Sequence, residues 1–170
     1  CVAVNDSQAS VFVNGKICKD PKLATPNDFY FSSLNFSRDV YPKYGIAVTI
    51  VGVKEMPGLN TLGISTSRAD IEPQSLFPFH MHPRATESRL FSKILNPGDV
   101  FVFPIGLIHF LYNVGHKKAV VFGSYNSQNP GLITIPSSIF ASEPPIMDDI
   151  LAKSFQLNKT EIAQLRNKFS

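Results

Sequence analysis

Two stretches of the sequence decide the fold: residues 79–87, which spell FHMHPRATE, and residues 98–113, which spell GDVFVFPIGLIHFLYN. They contain three of the four histidines of the chain: His80, His82 and His109. Because side chains alternate across a β-strand, His80 and His82 are expected on one face, about 7 Å apart along the chain. This spacing allows two imidazoles to bind one ion.

A carboxylate and a third imidazole are expected to complete a metal site. Glu87 would point away from His82 in an unbroken strand, but Pro83 should bend the chain and return Glu87 to the inner face. His109 follows on a later strand. Three imidazoles and a carboxylate favour Mn(II) or Fe(II) with open positions, whereas closed zinc sites more often contain thiolates. The alternative is that two histidines lie at the surface and the third in the core, without a metal.

The composition predicts an all-β domain. The chain has 170 residues, of which 44% are hydrophobic and 17% charged, which suits one compact domain. Thirteen Pro and ten Gly beside fourteen Phe favour many short strands joined by turns. A net charge of +3 without a long basic run argues against nucleic acid. No apolar stretch approaches the roughly 20 residues that cross a bilayer, so no membrane partner is expected.

The chain is predicted to divide into an extended arm at residues 1–45, a β domain at 46–140 and a helical tail at 141–170. The predicted strands are Ile46–Val53, Leu62–Ile71, Leu90–Leu95, Asp99–Phe103, Ala119–Tyr125 and Leu132–Ile135. The third and fourth should form a hairpin, and the fifth should be fully buried. Short strands with regular turn signals indicate an antiparallel sandwich or barrel.

Two amphipathic helices are predicted in the tail. Ser142 is expected to cap a helix that opens at Pro144, and a second helix follows Asn158. One side of the second helix is apolar: Ile162, Leu165 and Phe169. Such helices need an apolar surface to cover, and a neighbouring subunit is one candidate.

Cysteines and sequons favour an oxidising compartment. Cys1 and Cys18 are the only cysteines and are expected to form a disulfide, although two unrelated thiols are the alternative. Closing a loop of about 15 residues contributes about 3 kcal/mol. Three sequons are candidate glycosylation sites: Asn5, Asn35 and Asn158. Asn158 has a competing role as a helix cap, with Glu161 completing a capping box.

At this point a family resemblance becomes specific. The second stretch reproduces the second cupin motif through a characteristic spacing: Gly98, Pro104, Gly106, His109 and Asn113. The first stretch reproduces the ligand half of the first motif through His80, His82 and Glu87. The sequence resembles plant germin-like proteins over nearly its whole length, including the cysteine pair and the helical tail.

The resemblance implies a cupin β jelly-roll barrel that holds a manganese ion, with Fe2+ or Zn2+ as alternatives. The implied ligands are His80, His82, Glu87 and His109, and Asn113 is expected to order water beside the metal. The resemblance also implies secretion to the apoplast or cell wall and a homohexamer built as a trimer of dimers.

Two departures from the family pattern bear on function. Oxalate-oxidising germins hold their substrate with two asparagines, and the matching positions here are Ser67 and Phe77, which disfavours oxalate oxidase activity. Family members also carry roughly 20 residues after the position of Glu87, about two strands. Either the natural protein contains these residues, which we favour, or the chain is a shortened variant with exposed strand edges.

The expected function is therefore that of a manganese protein of the cell wall. The enzyme interpretation is superoxide dismutation to hydrogen peroxide, with a small anion as the substrate. The alternative is a non-catalytic apoplastic metal-binding protein, a reservoir or a defence protein. A third interpretation is a zinc or iron cupin that acts on a sugar or a small acid.

Overall fold

The computed structural model describes residues 1–5, 11–83 and 92–170. Its strands are β1 (Ala3–Val4), β2 (Phe12–Val13), β3 (Lys16–Cys18), β4 (Ile46–Val51), β5 (Ser65–Ile71), β6 (Leu76–Met81), β7 (His109–Tyr112), β8 (Ala119–Tyr125) and β9 (Ile133–Thr134). Its α-helices are α1 (Ile135–Phe140), α2 (Asp148–Phe155) and α3 (Lys159–Phe169). The described chain is mostly β with a few short helices, which confirms the predicted class.

The N-terminal arm is more regular than the sequence predicted. Strands β1, β3 and β2 form a small antiparallel sheet in that order. The predicted disulfide is present and joins Cys1 to Cys18, with the two sulfurs 1.99 Å apart. Two short 3-10 helices follow, at Pro21–Leu23 and Pro26–Phe29.

The second sheet carries a buried core. Strands β4, β5 and β8 pair in that order, and the register places Ile46 opposite Ile71. Both side chains are buried and pack with Phe77 in one cluster. The β-branched run at 46–53 therefore forms the strand that its pattern predicts, although the strand ends at Val51.

Strand β8 is an edge strand among the described residues, and the prediction that it is fully buried is wrong. Val120 is 45% exposed and Phe122 is 64% exposed. Strand β8 pairs with β5 on one side, and the described sheet ends with it. A strand with one unpaired side leaves its backbone N–H and C=O groups open to solvent there.

The predicted hairpin at 90–103 does not form strands in its described part. Residues 92–108 contain no strand, and Val100 and Val102 are 89% and 78% exposed. The turn itself is present, because the amide of Asp99 donates to the carbonyl of Asn96 at 3.0 Å. A strand needs a hydrogen-bonded neighbour, and the described residues supply none here.

The third sheet has the order β7, β6, β9 and leads into the helical tail. The predicted strand at 132–135 is short, because the chain enters α1 at Ile135. Helix α2 begins at Asp148 rather than at Pro144, and the Ser142 hydroxyl accepts a hydrogen bond from the amide of Ile146.

The helical tail has its own core. The predicted second helix is confirmed as α3, which packs against the other two helices through three buried residues: Phe140, Leu151 and Ile162. Leu165 and Phe169 border this cluster, as the sequence pattern predicts. Among the described residues, no helix has both the length and the apolar content needed to span a membrane.

The chain separates into two compact units. The first consists of Cys1–Phe77 and Leu111–Pro130, and the second of Pro78–Phe110 and Gly131–Ser170. The predicted histidine ligands and the helical tail belong to the second unit. The predicted boundaries at residues 45 and 140 stay a prediction.

Candidate metal centre

The three predicted histidines come together in the second unit. His80 lies near the end of β6, His82 follows that strand, and His109 begins β7. One ring nitrogen from each imidazole lies within 4.8 Å of the others, a geometry that could hold a metal ion. The ring centroids of His80 and His109 are 4.1 Å apart, and both are 5.6 Å from that of His82.

Each imidazole is oriented by a backbone carbonyl. Nδ1 of His80 lies 2.8 Å from the carbonyl oxygen of Pro78, and Nδ1 of His109 lies 2.8 Å from that of Leu107. A neutral ring that donates its Nδ1 hydrogen carries its lone pair on Nε2, the nitrogen that then binds a metal. Both carbonyls lie two residues before their histidine, so β6 and the segment that leads into β7 supply these contacts.

His82 is oriented by a residue far along the chain. Its Nδ1 lies 2.6 Å from the carbonyl oxygen of Gly131, which follows the turn at 127–130. The Asn129-Pro130-Gly131 turn signal was visible in the sequence, but nothing in the spacing indicated that it would meet His82. The three carbonyl partners are the functional contacts that the sequence analysis missed.

Burial favours the neutral form of His80 and His109 by lowering the pKa of each. His80 is 2% exposed, and burial lowers its pKa from 6.5 to about 4, helped by the neighbouring His109 and His82 rings and opposed by the Pro78 carbonyl. Burial also lowers the pKa of His109. Metals bind the deprotonated ring, so protons compete weakly for these two ligands at neutral pH.

Aromatic rings border the cluster. The Phe103 ring stacks on His109, with centroids 4.2 Å apart and planes 24° from parallel. Phe101 packs edge-on against Phe103, and Phe79 packs against Phe110. The apolar environment of a metal site controls solvent access and the local dielectric constant. Phe103 therefore shields one side of the His109 ring.

Two other predicted residues do not join the described cluster. Glu87 falls within residues 84–91, outside the described residues, and its role as a ligand stays a prediction. The buried Asn113 amide donates to the carbonyls of Ile71, Glu72 and Lys117. These bonds organise a turn, and the predicted role in ordering water is untested.

Phe77 and Ser67 occupy the two positions at which the resemblance predicts asparagines for an oxalate-oxidising germin. Phe77 is 7% exposed and packs with Ile46 and Ile71. The Ser67 hydroxyl shares a hydrogen bond with the Tyr125 hydroxyl at 2.9 Å. One position is therefore part of the apolar core, and the other is a neutral hydroxyl.

The sheets and the histidine cluster are those of a cupin. The cupin family model matches residues 32–90 and 86–163, which together span most of the chain. Germin-like protein subfamily 1 member 14 of Arabidopsis thaliana is 49% identical over 189 aligned positions, which cover 99% of this chain and 85% of that protein. The chain belongs to the germin-like family of cupins.

Solved structures agree with this assignment. An oxalate oxidase in complex with the substrate analogue glycolate superposes with a TM-score of 0.91 at 37% identity, covering 100% of this chain and 94% of that one. Peruvianin-I, a cysteine peptidase from Thevetia peruviana latex, gives a TM-score of 0.68 at 35% identity, covering 78% of this chain and 92% of that one. Both cysteines of the present chain are in the disulfide.

The comparisons also show a difference in length. The alignment with the Arabidopsis protein has 189 positions, whereas this chain has 170 residues, which leaves at least 19 positions without a counterpart. The two matches to the cupin model meet within residues 86–90. The chain therefore lacks at least 19 positions of this alignment, and their place after Glu87 stays a prediction.

Proposed function

We propose that this chain is a secreted, manganese-binding germin-like protein that converts superoxide to hydrogen peroxide and oxygen at the cell wall. The observation that carries the proposal is the cluster of His80, His82 and His109, whose ligand nitrogens lie within 4.8 Å of one another. Three neutral imidazoles suit manganese, iron or zinc, and the carboxylate of Glu87 would favour the first two.

The residues of the chain have distinct roles in this proposal. The three histidines and Glu87 hold the ion, while the backbone carbonyls fix the direction of each ring. Phe103 keeps solvent from one side of His109. The bound manganese would supply one-electron exchange, so that two superoxide anions and two protons give one oxygen and one hydrogen peroxide.

The proposal disfavours oxalate as a substrate. A site that recognises a dicarboxylate loses affinity steeply when its hydrogen-bonding side chains are removed. Phe77 offers no hydrogen bond and is buried in the core. Superoxide is a small anion that needs an open position on the metal rather than two amide side chains, so these departures do not weaken the proposed activity.

Secretion, glycosylation and assembly belong to the same proposal. The Cys1–Cys18 disulfide is typical of extracellular proteins. Asn35 and Asn158 are exposed and accessible to glycosylation, whereas the sequon of Asn5 extends into residues 6–10, outside the described residues. Helix α2 and its cap expose three large apolar side chains, which support burial against further copies in a hexamer: Met147, Ile150 and Phe155.

The test is superoxide turnover by the purified protein loaded with manganese. We expect superoxide consumption with hydrogen peroxide release, and loss of both in the His82→Ala variant. A protein that binds one manganese per chain without turnover would overturn the enzyme proposal and favour a reservoir or defence role. Light scattering of the same sample tests assembly, and six copies are expected.

A further inference from the structure

We propose that the helices α1, α2 and α3 position the ligand His82, and that Arg166 is the positioning residue through which they do so. The inference rests on the proposed metal centre and adds the three helices to the elements that determine its metal affinity. All of the residues involved lie in the second compact unit, which contains residues 78–110 and 131–170.

The three ligands differ in where their carbonyl partners lie. Nδ1 of His80 and Nδ1 of His109 are close to carbonyls two residues earlier in the chain. Nδ1 of His82 lies 2.6 Å from the carbonyl oxygen of Gly131, 49 residues later. The ring direction of His82 therefore depends on how Gly131 is held. Loss of a contact that orients a ligand typically lowers metal affinity roughly 10–100-fold.

A short strand joins Gly131 to the helices. Strand β9 begins two residues after Gly131 and pairs with the end of β6. Its two residue pairs are Thr134 with His80 and Ile133 with Met81. So short a ladder is only marginally stable by itself, so the position of β9 depends on the segment that follows it.

Helix α1 is that segment, because it continues from β9 without a connecting loop. Its last residue, Phe140, is 7% exposed and shares a core with Leu151 of α2 and Ile162 of α3. The centroid of the Phe140 ring lies 5.3 Å from that of Phe155 and 5.8 Å from that of Phe169. The other two helices therefore hold α1 at the end that lies away from β9.

Arg166 in α3 ties the three helices together. Its Nη1 donates to the carbonyl of Phe140 at the end of α1 at 3.3 Å, and its Nη2 donates to the carbonyl of Ile146. Its Nε donates to Oδ1 of Asp148, the first residue of α2, at 2.8 Å. The last carbonyls of a helix have no partner within the helix, so a guanidinium that donates to one of them fixes that end. Arg166 therefore holds α1 in place, and with it the strand that leads back to Gly131.

A second ion pair between α2 and α3 provides a matched control. Nζ of Lys159 lies 2.7 Å from Oδ1 of Asp149, so this pair joins the same two helices. Arg166 in addition bonds the Phe140 carbonyl of α1. Loss of the Lys159 pair should therefore leave α1 and β9 where they are.

The test measures the imidazole tautomers of the metal-free protein by 15N NMR at pH 8. In the native protein we expect the Nδ1–H tautomer at all three histidines, because each Nδ1 is close to a carbonyl. Arg166→Met keeps the aliphatic part of the side chain and removes the guanidinium. His82 should become a mixture of tautomers while His80 and His109 keep theirs, and the dissociation constant for Mn2+ should rise about tenfold. Lys159→Met should change neither quantity.

Two further variants test the separate steps. Phe140→Leu keeps α1 apolar and removes the ring contacts, so it should give the same change at His82, and it serves if Arg166→Met fails to fold. Gly131→Ala acts beside His82 itself. Gly131 has a φ of 67°, which strains any residue with a Cβ, although a Cβ would lie 3.4 Å from Cδ of Pro83 and so has room. An unchanged His82 tautomer in Gly131→Ala would overturn the first step.

Unchanged His82 tautomers in both Arg166→Met and Phe140→Leu would overturn the positioning role of the helices. Equal changes at all three histidines, or the same change in Lys159→Met, would also overturn it, because they would indicate a general loosening. These NMR outcomes need no metal, so they are independent of the proposed function. Failure of the native protein to bind Mn2+ would instead contradict the metal centre itself.

Discussion

Each histidine of the cluster has its Nδ1 close to a backbone carbonyl, and one ring nitrogen of each lies within 4.8 Å of those of the other two. The carbonyl contact selects the tautomer, and the neighbouring rings supply the remaining ligands. Metal binding at such a site depends on all three rings. When one of three ligands of the same ion is removed, the affinity of the site for the metal falls strongly.

Replacement of one ligand tests this dependence. His82→Ala should lower the manganese content of the purified protein at least tenfold, and any superoxide activity should fall in parallel. The matched control is His116→Ala, because His116 is exposed and does not belong to the cluster. Full metal occupancy in His82→Ala would refute its assignment as a ligand.

The buried His80 makes a prediction about pH. Because its pKa is about 4 rather than 6.5, the folded metal-free protein binds fewer protons at this site than the unfolded chain between these values. Its contribution to the free energy of unfolding is therefore complete above pH 6.5 and is lost as the pH falls toward 4. Urea unfolding of the metal-free protein at pH 7.5, 6 and 5 should show this decrease.

The His80→Gln variant is the control for that titration. It should show a weaker dependence of the unfolding free energy on pH over the same range. An identical dependence in both proteins would mean that His80 titrates normally in the folded state.

At the level of elements, the cap of α3 is well defined. The Asn158 side chain accepts from the amide of Glu161, and the Glu161 carboxylate accepts from the amide of Asn158. Such a capping box satisfies two helix-end amides at once. The helix then presents Ile162, which is fully buried, to the other two helices.

Two substitutions separate the capping role of Asn158 from its glycosylation. Asn158→Ala should destabilise the protein by about 1 kcal/mol through loss of the cap. Asn158→Asp keeps the cap and removes the sequon, so its stability should stay near the native value in protein made without glycans. Urea midpoints of the two variants provide the measurement, and equal losses would contradict the capping role.

The elements differ in how far the sequence predicts them. The β-branched run that forms β4 and the apolar side of α3 are patterns within the sequence of each element. Both elements could therefore be predicted from the sequence alone. The histidine spacing similarly indicated which rings converge. The exposed β8 and the unpaired 92–108 region were not predictable, because a strand depends on a neighbour elsewhere in the chain. The Gly131 contact with His82 is a tertiary contact of the same kind.

For the whole molecule, we expect the lack of positions relative to the Arabidopsis protein to lower the stability of this chain. The alignment with the Arabidopsis protein has at least 19 positions without a counterpart in this chain. Apolar side chains are exposed within the described residues 92–108 and on β8: Ile94, Val100, Val102, Val120 and Phe122. Exposed apolar area weakens folding by about 25 cal/mol per Å2 relative to burial. The exposed side chains also form a surface prone to association.

Restoring the missing length tests this interpretation. Insertion of the corresponding Arabidopsis residues between Glu87 and Ser88 should lower the binding of a hydrophobic dye and raise the urea midpoint. A glycine–serine insert of equal length is the control and should do neither. If both inserts behave alike, the exposed side chains do not owe their exposure to the missing residues.

The central claim is that the imidazoles of His80, His82 and His109 bind one metal ion, and metal analysis with electron paramagnetic resonance tests it most directly. After equilibration with Mn2+ and removal of excess, the native protein should retain one manganese per chain, with a spectrum that differs from that of the aqueous ion. Retention of no metal, or retention unchanged when His80, His82 and His109 are all replaced by alanine, would contradict the claim.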